Sequence, residues 1–184
     1  ILYGFYSADS GTVAISGEPV RLRSSADAIA AGIGMVHQHF MLVPNFTVLE
    51  NIILGHEGGS DLKAGARQAA ASLKSITERY GLSVDLQAAV QDLPVGLQQR
   101  VEILKALYRG ARILILDEPT GVLTPQETEQ LFDILRTLKA QGVTILLITH
   151  KLKEIMAVTD FVSVMRSGET VSYTHLTLPT RLPV

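Results

Sequence analysis

No cysteine occurs among the 184 residues, which excludes a disulfide framework and any thiolate metal site. Neither sign of charge is in excess. The formal net charge of −2 offers no field that would draw the chain to nucleic acid. The longest apolar runs are only strand-sized, which excludes a membrane-spanning helix within these residues. The opening ILYGFYSADSG has no basic stretch ahead of an apolar one, so it does not read as a signal peptide. It also lacks an initiator methionine, and the expectation is a piece of a longer chain. The length suits one domain with a real core.

What is present is an alternation of strands and helices. GTVAIS reads as a strand, SADAIAAG as a short helix, IGMVHQ as a strand with a polar end, and TVLENIIL as helical. From Asp61 to Tyr80, Leu62, Ala66, Ala69, Leu73, Ile76 and Tyr80 recur in steps of four and three, which predicts an amphipathic helix. Leu97–Tyr108 is helical, followed by the apolar strand Ile113–Leu116, expected to be buried on both faces. Thr124 and Pro125 suit the N-cap and first position of a helix whose apolar stripe is Leu131, Ile134, Leu135 and Leu138. VTILLIT reads as a second fully apolar strand, Lys151–Val158 as a helix and FVSVM as a strand. The pattern implies an α/β fold whose sheet is interrupted by a helical insertion between about Thr47 and Tyr108.

In such folds ligands sit beyond the carboxyl ends of the strands. Three candidates fall there: Gln38, the Asp117/Glu118 pair and His150. Each alone has a plain reading, as a loop cap, a solvated turn and a structural histidine. Together they suit nucleotide hydrolysis. A strand-end aspartate can hold Mg²⁺ through water, the next glutamate can polarise an attacking water, and a histidine can reach a terminal phosphate.

Four segments in order carry a family resemblance. HQHF with Gln38 resembles the Q-loop, LPVGLQQR (residues 93–100) the signature LSGGQQQR, ILILDEP the Walker B strand with GVLT as D-loop, and LLITHK the switch histidine. On these motifs Ile1–Val171 resembles the ATP-binding subunit of an ATP-binding-cassette (ABC) transporter. VHQHFMLVP, LPVGLQQRVEILKALYRGA and LTPQE are most similar to the ATPases of sugar- and nucleoside-type importers, and to the first of their two tandem cassettes. The family's phosphate loop, GxxxxGK[ST], occurs nowhere in the 184 residues. Relatives run from that loop's helix into a stretch like ILYGFYSADSG, so the expectation is that this sequence begins just after it.

The resemblance implies an α/β, P-loop NTPase-type cassette with a mostly parallel sheet and a helical signature subdomain at about 47–108. It implies ATP and Mg²⁺ as ligands. Asp117 and Gln38 would bind the metal, Glu118 would be the general base, and His150 would contact the γ-phosphate and the attacking water. Pro94, Val95, Gly96 and Leu97 would face the ATP of a second cassette, and Gly121, Val122, Leu123 and Thr124 would form the D-loop. Pro94 departs from the family's serine and has neither hydroxyl nor N–H to offer, Leu97 replaces a glutamine, and Thr124 stands where many relatives have aspartate.

The implied function is ATP-driven import of a small solute, a nucleoside or simple sugar, at the cytoplasmic face of a membrane. The partners would be a second cassette, permease subunits and a solute-binding protein. The apolar segment FMLVPNF (residues 40–46) either covers the core or docks a permease helix through Phe40, Met41, Leu42, Val43 and Phe46. A soluble ABC ATPase of translation or DNA maintenance and a non-catalytic cassette are the alternatives. Against the first stands the lack of a basic run, and against the second stand Glu118 and His150.

His37 and His39 flank Gln38 without a third ligand nearby in sequence, which favours a solvated loop edge over a metal pair. After residue 171, VSYTHLTLPT resembles one reading frame of a transposase-type sequencing adapter. Residues 172–184, His175 included, are therefore expected to be a foreign tail. The other reading is a β-rich tail in which Tyr173, Thr174, Leu176 and Leu178 alternate.

Overall fold

In the computed structural model, which describes residues 1–56 and 62–175, Ile113–Asp117 is the middle of three parallel strands. A first unit covers Ile1–Ile148 and a second begins at Thr149. The first unit opens with a hairpin of β1 (Val13–Ile15) and β2 (Glu18–Val20), then α1 (Ser25–Ala30) and β3 (Ile33–Val36). It continues through α2 (Val48–Ile53), α3 (Leu62–Tyr80), a 3₁₀ turn at Val90–Asp92 and α4 (Val95–Tyr108). β4 (Ile113–Asp117), α5 (Pro125–Ala140) and β5 (Thr144–Ile148) complete it. The second unit holds α6 (Leu152–Val158) and the hairpin β6 (Phe161–Arg166) with β7 (Glu169–His175).

The sheet order is β3-β4-β5, with Val36 opposite Leu116 and Asp117 opposite Ile148. Leu114, Ile115 and Leu116 are buried, as the uninterrupted apolar run requires of a central strand. β5 differs from expectation. Leu146 is 39% and Ile148 50% exposed: α5 packs on β5, and the row of side chains that includes Leu146 and Ile148 is left uncovered within the first unit. The stripe Leu131, Ile134, Leu135 and Leu138 on α5 is buried, and the α5 helix packs on β5.

The three-stranded sheet is parallel throughout, as the resemblance implied. Two antiparallel hairpins accompany the three parallel strands, each turning through a Ser-Gly pair with positive φ (Ser16–Gly17 and Ser167–Gly168), the geometry two-residue hairpin turns need. Ser172–His175, part of the expected foreign tail, are residues of β7, while residues 176–184 lie outside the described residues. Asp61, where the helical periodicity was expected to begin, also lies outside them.

The helical insertion forms because its ends are capped and its faces are apolar. Thr47 caps α2 in a capping box with Glu50. Ala69 and Leu73 of α3 are buried, and α2, α3 and α4 pack on one another. The α4 helix also lies on β3. A Cβ built on Gly34 of β3 would come 2.8 Å from the Ala106 Cβ and 2.9 Å from the Ala111 Cβ.

That contact is closer than real side chains tolerate, so Gly34→Ala should push α4 from the sheet. We expect a loss of about 1–3 kcal/mol, read as a lower urea midpoint. An unchanged midpoint would mean that the α4–β3 contact yields freely.

Candidate functional site

β4 delivers Asp117 and Glu118 to the carboxyl end of the sheet. Val36 stands opposite Leu116, so β3 ends at the same edge and releases Gln38 two residues later, exposed. Asp117 and Glu118 are half-buried. The Glu118 backbone is left-handed (φ 46), unusual for a residue with a side chain and held only where surroundings impose it. Its N–H donates to the Ile148 carbonyl at 2.9 Å, and its carbonyl accepts from the Gly121 N–H at 3.2 Å. The carboxyl group is thereby presented by a tight turn rather than by the strand.

α4 fixes the next residue of that turn. Gln99, 1% exposed, donates through Nε2 to the Pro119 carbonyl at 2.6 Å. One turn earlier Pro94 is the N-cap of α4, with φ −55 and no side-chain cap, and its carbonyl accepts from Leu97 N and Gln98 N. Pro94 and Val95 are exposed. The Gly96 N–H donates to Glu127 Oε1 at 3.1 Å, so this amide has a partner within its own chain.

Glu127 also closes the start of α5. Its Oε2 accepts from Thr124 N and Thr124 Oγ1, both at 2.9 Å, and its own N–H donates to Thr124 Oγ1 at 3.3 Å. Thr124 is thus a helix cap, with Gly121 and Val122 exposed ahead of it and Leu123 half-buried. The Thr-x-x-Glu spacing is a readable capping-box signal; the bond to Gly96 is not, because its partners are 31 residues apart. The bonds from Thr124, backbone first and then hydroxyl, with that from Gly96, hold the Glu127 carboxyl below its ordinary value.

The segment after Gln38 is clamped by its backbone. Glu102 Oε1 accepts from Met41 N at 2.8 Å, and Lys105 Nζ donates to the Met41 carbonyl at 2.9 Å. Burial raises the Glu102 carboxyl and lowers the Lys105 ammonium, each partly offset by the other's charge. Asn51, buried on α2, accepts from Val43 N at 2.7 Å and donates to the carbonyls of Val43 and Thr47, both at 3.0 Å. Beside this segment is an open groove of about 400 Å³ whose lining includes Gln38, Phe40, Leu42, Pro44, Val95 and Val122. Of the expected docking residues, Phe40 and Leu42 line it. Met41 lies instead at a separate cavity of about 290 Å³ with Tyr3, Phe5, His37, Glu102 and Arg109.

His150 belongs to the second unit. There Thr149 Oγ1 donates to Glu154 Oε2 at 2.8 Å and accepts from Lys151 N at 3.1 Å, fixing the chain ahead of α6. The relation of His150 to Glu118 rests on sequence position, two residues past Ile148.

Mg²⁺ suits the donors available in the first unit. The Asp117 carboxylate and the Gln38 amide oxygen are hard ligands of the few-protein-donor kind that Mg²⁺ accepts while keeping its waters and substrate phosphates. No group of three or more His, Cys, Asp or Glu able to hold a metal occurs among the described residues.

Comparison with known proteins follows the same geometry. Residues 1–121 match the sequence profile described as ABC transporter. The chain is 49% identical to a nucleoside import ATP-binding protein of Lactococcus lactis subsp. cremoris over 96% of its length, and 48% identical to a glucose import ATP-binding protein of Haloferax volcanii over 93%. It is 50% identical to a guanosine import ATP-binding protein of Bacillus subtilis, also over 93%. It spans only about a third of these relatives, 35%, 36% and 34% of their lengths respectively. Among solved structures, a nucleotide-free ATP-binding cassette from an ABC transporter superposes with a TM-score of 0.78 at 26% identity, covering 95% of this chain and 73% of the other. The ADP conformation of an ATP-binding cassette of an ABC transporter gives 0.80 at 26% identity, covering 95% and 72%.

The Glu127 bonds carry a pH prediction. A carboxyl held below its ordinary value stabilises the fold fully above the unfolded value of about 4.5 and loses that contribution as pH falls through the folded value. Acid should therefore loosen the α4–α5 joint. Glu127→Gln, which cannot ionise, should narrow the gap between urea midpoints measured at neutral pH and below pH 4.5. A gap as wide as the parent's would remove Glu127 from the acid response.

Proposed function

The chain belongs to the ABC transporter family, and we propose that it is the nucleotide-handling core of an ATPase that energises import of a nucleoside or simple sugar. The relatives named as nucleoside, guanosine and glucose import ATP-binding proteins support the solute class. The observation that carries ATP hydrolysis is the left-handed Glu118 at the exit of the buried central strand, immediately after Asp117.

In this reading Asp117 and Gln38 hold Mg²⁺, which when bound neutralises phosphate charge and aligns the terminal phosphoryl group. Glu118 accepts a proton from the attacking water, and the anchored turn keeps its carboxylate from relaxing toward the strand axis. His150 contacts the γ-phosphate and that water. Val95, Gly96 and Leu97 serve a second cassette, and their use on phosphate requires Gly96 to exchange the Glu127 carboxylate for it. Gly121, Val122, Leu123 and Thr124 line the junction between cassettes.

The part of the groove lined by Phe40, Leu42 and Pro44 is the surface we assign to a membrane permease subunit. Its apolar floor suits a helix from a partner. The backbone clamps on Met41 and Val43 suit a segment that transmits force. No helix among the described residues is long and apolar enough to cross a membrane. We place the chain at the cytoplasmic face of a membrane against that permease, in a complex that also holds a solute-binding protein.

The 184 residues contain no GxxxxGK[ST] cradle, so alone they should turn over ATP no faster than their own Glu118→Gln variant. Joined to such a loop ahead of Ile1, and paired with a second cassette, the chain should hydrolyse ATP. Glu118→Gln should then keep nucleotide and lose turnover, since the phosphate contacts survive the loss of the base. Parent-like turnover by that variant would sink the general-base assignment.

Pro94→Ser in the paired protein tests the signature. The added hydroxyl is a donor to a charged group, worth roughly 1.5–3 kcal/mol, offset by the loss of proline's fixed φ. Tighter ATP-driven closure is expected at the partner's site, with hydrolysis not necessarily faster if reopening limits it. Site-resolved nucleotide trapping decides: a change confined to the site holding this chain's Asp117 and Glu118 would refute action across the interface.

A further inference from the structure

We propose that Gln99 is a positioning residue for Glu118, acting through the Pro119 carbonyl; this rests on the general-base reading of Glu118. The need for such a residue follows from the backbone. A residue preceding proline is biased toward extended conformations, and a non-glycine residue avoids positive φ, yet Glu118 holds φ 46 immediately before Pro119. Local preference therefore does not produce the turn. Surrounding bonds do.

The Glu118 N–H is anchored to Ile148 of β5, and its carbonyl to Gly121. Beyond it the Pro119 carbonyl receives the Gln99 amide at 2.6 Å, short for an N–H···O bond and shielded from water by near-complete burial of Gln99. The peptide group before Glu118 is thus pinned by the sheet, the one after it by Gly121, and the one after Pro119 by α4. Rotation about the Glu118 backbone would swing its carboxylate, and it cannot occur without breaking one of these bonds. Gln99 lies one turn past Gly96 on the same helix, so the signature segment and the orientation of the base share one rigid body.

Gln99 touches none of the groups assigned to substrate or metal, so its effect should fall on turnover rather than on nucleotide binding. The test uses the chain joined to a GxxxxGK[ST] loop and paired with a second cassette. Gln99→Met, which keeps length and helix propensity but removes the donor, should lower kcat by about 10- to 100-fold, as misplacement of a reacting group does. The KM for ATP should change less than about twofold, and the acid limb of the kcat/KM profile should shift because the base has a new environment. Leu138→Ala, a packing variant buried at the far end of α5 from the turn, should lower the melting temperature while leaving kcat and the acid limb in place.

Glu118→Gln separates the two ideas. If it turns over ATP like the parent, the general-base reading fails and takes this inference with it. If it is inactive while Gln99→Met keeps parent kcat and pH profile, only the inference about Gln99 is overturned. Should Gln99→Met not fold, Gln99→Asn decides: its amide is one methylene short, and an intermediate kcat at unchanged KM is expected. Parent kcat in Gln99→Asn, or an equal fall in kcat in Leu138→Ala at matched loss of stability, overturns the proposal.

Discussion

The rest of the first unit depends on the burial of β4. A strand apolar on both faces must be flanked by strands and covered by helices, and here β3, β5 and the helices around them meet that demand. Burial also decides where chemistry can occur. Nothing ionisable is tolerated along Leu114–Leu116, so the carboxylates of Asp117 and Glu118 appear at the first position where the strand leaves the core. The edge that presents them also releases Gln38.

α4 gathers the pieces around that edge. Within roughly 20 Å of helix, at 1.5 Å rise per residue, it bonds to Glu127 through Gly96, to Pro119 through Gln99, and to Met41 through Glu102 and Lys105. It bonds further to Leu54 through Arg109. The base turn, the start of α5 and the segment after Gln38 therefore share one support. The buried Glu102–Lys105 pair would be costly by itself, and its burial is offset by gripping both polar groups of a single residue, Met41. A displacement of the groove-lining segment reaches α4 through charged bonds rather than through yielding apolar contact.

Glu127 adds a switchable element. One carboxylate closes the capping box of α5 and occupies a backbone donor at the start of α4. Helix N-termini attract anions, and here the anion is a side chain of the same domain. The start of α4 and the start of α5 are therefore joined through a single carboxylate, whose protonation would release both.

Much of this was legible in the sequence because it depends on local periodicity and residue chemistry. The steps of four and three in Ala66–Tyr80, the unbroken run Ile113–Leu116 and the Thr124–Pro125 start are each fixed by neighbours within a few positions. So was the α/β class, and so were Asp117, Glu118 and Gln38 as strand-end residues. What the sequence could not give was decided by contacts over long separations. An apolar strand reads alike whether one face or both are covered, so the exposed row of β5 emerged only from the packing of the helices. Gln99 looks like one more polar residue in a QQR run until Pro119, 20 residues away, accepts its amide. Glu102 and Lys105 look like a solvated pair until Met41, more than 60 residues away, lies between them. Local pattern determined which residues stand at the exit of the buried strands; tertiary packing decided what holds them in place, because a hydrogen bond between distant segments leaves no period in the chain.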